Sequence, residues 1–198
     1  KIYISVLEDY IGKTQKLVDR YGLDKVVSII PGGATAQDSI YNVLKDAEKE
    51  NDGDSIVLLH DGVRPFVSYD TIKQNIESVQ KYGSAITCTA CYETILLSKS
   101  GEKVDSVPYR KDTFAAQSFR LKDIIAAHDE VRAINPSYEN MVDACTIMTT
   151  LGKEVHMISG NRGNIKVTTP EDVYMFRALL NYKENEQTFG IGLTNGIR

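Results

Sequence analysis

SIVLLHDGVRPFV, residues 55–67, decides how the rest of the chain is read. Ile56 to Leu59 is an unbroken apolar run. It has the length of a strand and the character of one that a parallel sheet buries on both faces. The run then stops at His60, Asp61 and Gly62, followed by Arg64 and Pro65. A buried strand needs no carboxylate at its tip, and a turn needs no arginine. In open α/β sheets ligands bind beyond the carboxyl ends of the strands. There Asp61 can hold a hydrated cation or a ribose hydroxyl, Gly62 clears room for a ligand, and Arg64 can steady Asp61. A purely structural Asp61–Arg64 pair closing a loop explains the same residues equally well.

Working outward, strands alternate with helices. KIYISVL (residues 1–7) and KVVSII (25–30) read as strands, with a polar amphipathic stretch between them at 8–21. Ile40, Val43, Leu44 and Ala47 recur at helical spacing, as do Ile72, Ile76 and Val79, and Leu121, Ile124, Ile125, His128 and Val131. A last helix opens at TTPEDVYMFRALL, with Thr169 as N-cap, Pro170 in the first helical position, and Glu171 and Asp172 in the first turn. The pattern predicts a single α/β domain over residues 1–198, Rossmann-like, with a mostly parallel sheet and helices on both faces. One segment breaks the rhythm. At residues 92–110 two alternating stretches flank the turn cluster SKSGEK, which predicts an inserted β-hairpin arm. A lone hairpin is marginal in water, so it must rest on its own domain or on a second subunit.

Composition narrows the function. Of 198 residues, 42% are apolar and 25% charged, with a net charge of −4. That balance gives no general attraction to nucleic acid or anionic membrane, and no run approaches the length of a membrane span. Nothing at the start reads as a signal peptide. The three cysteines form no framework and fit a reducing, cytoplasmic setting. Cys88 and Cys91 form CTAC, but on a strand such positions face opposite sides, so all three cysteines read as packing residues. His60 reads as lying under its loop, His128 as packed, and His156 as one of an alternating run; no zinc spacing is present. Neither a G-x-S-x-G nor a Walker pattern occurs.

Two further polar clusters fall at strand ends. PGGATAQDS (31–39) pairs two glycines with a helix N-terminus, where free N–H groups can meet a ligand, although Gly-Gly before a helix is often only a turn. GNIKVTTPED (163–172) sets Lys166 on a short strand between Ile165 and Val167. If those two face the core, Lys166 faces outward, either into a cleft as a phosphate ligand or as a snorkelling surface lysine.

Taken in order, these clusters resemble the cytidylyltransferases that act on methylerythritol phosphate and ribitol phosphate. GGATAQDSIYNVL is similar to that family's Gly-Gly-x-x-Arg-x-x-Ser-Val loop and helix, and HDGVRP to its His-Asp-Ala-Ala-Arg-Pro. QSF echoes Thr-Pro-Gln-x-Phe, VDACTIMTTLG resembles Thr-Asp-Asp-Ala and its helix, and NIKVTTPEDV nearly repeats Asn-Ile-Lys-Ile-Thr-Thr-Pro-Glu-Asp-Leu. Similarity to the ribitol branch is slightly closer. The resemblance implies transfer of CMP from CTP to a sugar-alcohol phosphate, with D-ribitol 5-phosphate favoured over 2-C-methyl-D-erythritol 4-phosphate and pyrophosphate released. It implies a part in isoprenoid or cell-wall polyol synthesis.

By the same resemblance Gly33 and Ala34 meet the cytosine through their backbone, Ser39 adds a polar contact, and Gly62 packs on the ribose. Asp61 stands beside the nucleotide and a Mg²⁺ ion. Lys166 touches the acceptor phosphate and steadies charge at the α-phosphorus, and Thr168 also binds that phosphate. In such homodimers the hairpin reaches into the neighbouring site, so Thr94 and Arg110 would bind the acceptor phosphate in trans. The family opens with a glycine-rich loop whose arginine and lysine hold the CTP phosphates, while this chain opens at the counterpart of the second strand. An N-terminal stretch with that loop and a central strand is therefore expected ahead of Lys1, and a short omission between Arg110 and Gln117. Ala36 stands in place of an arginine, FAAQSF lacks Thr-Pro, and Val142 replaces a threonine before Asp143. Two other readings stay open: a catalytically silent nucleotide-binding or scaffold protein of the same fold, and a transferase using UTP or GTP.

Overall fold

The computed structural model describes residues 1–91, 96–107, 112–141 and 143–189. Strand β1 (Ile2–Val6) leads through a 3₁₀ turn into α1 (Ile11–Tyr21), and β2 (Val26–Pro31) into α2 (Ala36–Glu48). Then come β3 (Ile56–Leu59), α3 (Tyr69–Tyr82), β4 (Ser84–Ala90), β5 (Asp112–Arg120), α4 (Leu121–Ile134), α5 (Ala144–Thr150), β6 (Met157–Ser159) and α6 (Pro170–Phe189). The local signals explain the boundaries. Thr35, Ser68 and Asp143 cap α2, α3 and α5 with side-chain oxygens. Gly22 and Gly83 end α1 and α3 at φ 58° and 83°, left-handed values that glycine adopts without penalty. At α6 the Thr169 hydroxyl accepts from Asp172 N, and the Asp172 carboxylate accepts in return from Thr168 N and Thr169 N.

β1 and β2 pair in parallel, and the other strands form a second sheet in the order β3-β5-β4-β6. β4 and β6 are parallel, and β5 runs against both of its neighbours. The apolar run of β3 therefore pairs with β5 alone among the described strands, and all four of its residues are half-buried rather than enclosed on both faces. Alternation along β5 shows how helices come to cover both faces. Ser118 donates to Asn75 of α3, whereas Gln117 accepts from Cys145 N of α5 and Phe119 enters the apolar core. That core joins Leu44 and Ala47 of α2, Ile86, Phe119, five residues of α4 from Leu121 to Val131, and Ala144, Ile147 and Met148 of α5.

The α3 face of this sheet is polar but satisfied. Asn75 donates to Thr71 O and the Thr87 hydroxyl while accepting from Ser118. Buried polar groups without such partners would each cost about 1–3 kcal/mol. Cys88 and Cys145 pack against the core. Burial raises the Cys145 thiol pKa, which fits an unreactive packing role. Of the hairpin, residues 96–107 are described, and an antiparallel bridge joins Leu97 to Ser106. Thr94 and Arg110 lie outside the described residues, as does Val142. Among the described residues, no helix is long and apolar enough to cross a membrane.

Candidate active site

The loop after β3 turns back on itself: Arg64 N donates to Asp61 O, and His60 Nε2 lies 2.8 Å from Arg64 O. His60 is exposed and braces the loop from its side rather than lying beneath it. Arg64 Nε donates to Asp61 Oδ2 at 3.1 Å, and Arg64 Nη1 to Asn164 O at 3.1 Å. Arg64 therefore holds Asp61 and also fastens the loop to a distant segment. Gly62 opens on free space, with no atom within 4 Å of where a side chain would start.

The distant segment is GNIKV. Gly163 lies in a turn and Asn164 to Val167 form no strand, which corrects the expectation for Lys166. The alternation holds all the same. Ile165 and Val167 are half-buried and Lys166 is exposed. Val167 N donates to Val63 O, and Asn164 Oδ1 accepts from Phe66 N, so the two loops are stitched at both ends. As a result Lys166 Nζ stands 3.5 Å from Asp61 Oδ2. Each side chain keeps nearly half of its surface open, so neither is committed to the other alone. A carboxylate flanked by two cations, open to solvent at a strand end, can organise phosphate and metal together.

Thr168 lies two residues after Lys166, and its hydroxyl donates to Asp172 Oδ2. The N–H of Thr168, then that of Thr169, hold the Asp172 carboxyl below the usual carboxylate range. Thr168 is thus fixed in orientation at the entrance to α6. The glycine loop is built separately, at the end of β2. Gly33 N donates to Ser39 Oγ, which itself donates to Thr35 O. A side chain on Gly33 would meet Asp38 Cβ at 2.2 Å, so only glycine fits. Ser39 shapes the loop directly beneath Gly33 and Ala34.

Asn164, Asp38 and Asp172 also organise these loops, although no sequence motif marks them as site residues. Asn164 had a faint signal, a lone amide between a turn and an alternating apolar run. Among the described residues no group of three or more His, Cys, Asp and Glu could by itself hold a metal.

A family model described as 2-C-methyl-D-erythritol 4-phosphate cytidylyltransferase (IspD) matches residues 1–182. A ribitol-5-phosphate cytidylyltransferase of Vibrio parahaemolyticus is 40% identical over 192 residues, covering 96% of this chain and 80% of that protein. A 2-C-methyl-D-erythritol 4-phosphate cytidylyltransferase of Clostridium botulinum is 33% identical over 183 residues, covering 91% and 77%. The crystal structure of 4-diphosphocytidyl-2C-methyl-D-erythritol synthase from Anaerococcus prevotii superposes with a TM-score of 0.78 at 26% identity, over 91% of this chain and 78% of that one. Fold, motif order and these likenesses agree: the chain belongs to the IspD family of cytidylyltransferases and is a nucleotidyltransferase.

Proposed function

We propose that the protein transfers CMP from CTP to D-ribitol 5-phosphate. The observation that carries the site is the approach of Lys166 to Asp61 across two loops at a strand end. The acceptor preference is supported by relatives named for ribitol 5-phosphate, at 40% and 37% identity, against 33% to 35% for relatives named for methylerythritol phosphate. A phosphate oxygen of the acceptor forms a bond to the α-phosphorus of CTP. The bond from that phosphorus to the bridging oxygen breaks, and pyrophosphate leaves with its electron pair.

In this reading Gly33 and Ala34 meet the cytosine and Ser39 fixes their loop. Gly62 leaves room for the ribose. Lys166 and Thr168 hold the acceptor phosphate, and Lys166 offsets charge gathering at the α-phosphorus. Such transfer needs positioning and neutralisation more than covalent help. A lone, half-exposed carboxylate at position 61 fits Mg²⁺, which takes one or two carboxylates and draws its remaining ligands from phosphate and water. When bound, the ion would neutralise phosphate charge beside Asp61.

The hairpin arm is read as the contact of a homodimer, with Thr94 and Arg110 completing the partner's acceptor site. Its support is the described part of the arm, where Leu96, Leu97, Val104 and Val107 are 50–57% exposed, apolar side chains that a second subunit would cover. A cytoplasmic setting suits three cysteines without a regular framework, and soluble substrates.

The test is pyrophosphate release by the full-length protein with CTP, UTP or GTP and either polyol phosphate. CTP with D-ribitol 5-phosphate should give the highest kcat/KM. A preference for the methylerythritol substrate overturns the acceptor, and release with UTP or GTP alone overturns the nucleotide. No release with any pair points to the silent scaffold.

A further inference from the structure

Asp38 forms the floor of the glycine loop. Its N–H donates to Thr35 Oγ1 at 3.1 Å, and Thr35 Oγ1 donates to Asp38 Oδ2 at 2.9 Å. Its Cβ fills the space that a side chain on Gly33 would need. Everything in that circuit is local, within the first turn of α2. The second carboxylate oxygen leaves the circuit. Asp38 Oδ1 accepts from Arg132 Nη2 of α4 at 2.6 Å.

Arg132 is held in an unusually complete setting. Its guanidinium lies 4.0 Å from the Tyr41 ring centre and 4.6 Å from that of Tyr138. Tyr41 donates to Asp129 of α4 at 2.6 Å. The Tyr138 hydroxyl lies 2.7 Å from His128 Nδ1 and donates to Gln37 O at 3.3 Å. Gln37, wholly buried next to Asp38, donates to Met141 O just ahead of α5. Both rings thus contact the guanidinium, and hydrogen bonds to α4 and α2 hold the rings. A plain surface ion pair gains little because two floppy chains must be ordered to make it. Here that ordering is already imposed, and a planar cation that can stack on both rings while donating to Asp38 suits the position better than a compact ammonium.

We propose that Arg132 is a positioning residue for the nucleotide: clamped between Tyr41 and Tyr138, it holds Asp38 and so sets the height and tilt of the Gly33–Ala34 backbone. It does not touch the nucleotide. The inference rests on the reading that this loop meets the base.

The experiment measures KM for CTP, KM for the acceptor, kcat and the CTP-over-UTP preference in the full-length protein, with Arg132→Met, Arg132→Lys, Asp38→Asn and the Met/Asn double variant. Arg132→Met should raise KM for CTP about tenfold, as loss of a charge-assisted hydrogen bond does, and narrow the CTP-over-UTP preference. Acceptor KM and kcat at saturating CTP should hold. Arg132→Lys should recover part of the loss. Asp38→Asn should act in the same direction, and the double variant should be scarcely worse than either single one, because the two residues act as a unit.

Unchanged nucleotide KM and preference in the single variants, or effects that simply multiply in the double, overturn the proposal. If Arg132→Met does not fold, Arg132→Lys and Asp38→Asn carry the same readouts. A wild-type protein that prefers another nucleotide overturns the proposed substrate alone, and the variants are then read against that nucleotide. If wild type uses no nucleotide at all, both readings fall.

Discussion

Lys166 Nζ lies 3.5 Å from Asp61 Oδ2, although one residue precedes α6 and the other follows β3. Neither loop would hold this approach alone. Arg64 anchors Asp61 and reaches Asn164 O, Val167 pairs with Val63, and Asn164 receives Phe66 N. The site is a stitched junction of two loops.

The stitch should be measurable by itself. Asn164 is 7% exposed, and its Oδ1 accepts from Phe66 N at 2.9 Å. Asn164→Ala leaves that buried N–H without a partner, at a cost of about 1–3 kcal/mol. Urea unfolding should show this loss, and turnover should fall with it. Unaltered stability would mean that the loops are joined elsewhere.

Asp61 is predicted to link turnover to metal. Asp61→Ala should lower kcat by about 10²-fold, as loss of a central electrostatic group does, and flatten the Mg²⁺ dependence of the remaining activity. A variant with the wild-type metal titration would reduce Asp61 to the structural partner of Arg64.

Much of this junction was legible in the sequence because each half carries its own local pattern. The apolar run before His60 and the cap at Thr169 are short-range signals, and a strand and a helix form there as expected, whereas the alternation around Lys166 shows in burial alone. Pairing is a long-range matter. Nothing near residues 112–120 says that β5 lies between β3 and β4 and opposes both, so β3 read as a strand enclosed on both faces. Asp38 and Arg132 are surface-type residues whose meaning appears only when α2 meets α4. The alternation around Lys166 predicts a strand, but backbone pairing through Val167 alone is too little to make one.

His128 gives a prediction for pH. Burial first, and the nearby Arg132 charge second, push its pKa from 6.5 down to about 4. Between those values the unfolded chain takes up a proton that the folded chain refuses, so the unfolded state gains as pH falls. The stabilisation is whole above pH 6.5 and is lost down to about pH 4, on the order of 3 kcal/mol in all. Urea unfolding across that interval should show wild type losing more stability than His128→Gln relative to their values at pH 7. Equal slopes would assign the acid sensitivity to other groups.

The arm makes a prediction about subunits. If Arg110 serves the neighbour's site, a dimer mixing Arg110→Ala and Lys166→Ala subunits has one site with both lesions and one with neither. Activity should rise above that of either parent after subunit exchange. No recovery, or a full-length protein that is monomeric in solution, removes the arm from the site.

The most direct measurement is single-turnover pyrophosphate release by full-length Lys166→Ala with saturating CTP and D-ribitol 5-phosphate, beside its unfolding midpoint. Lys166 is exposed and its Asp61 contact is half-solvated, so the fold should be untouched while the rate falls by about 10²-fold or more. A variant that folds like wild type and turns over at a near-normal rate would contradict the account, leaving Lys166 a surface lysine.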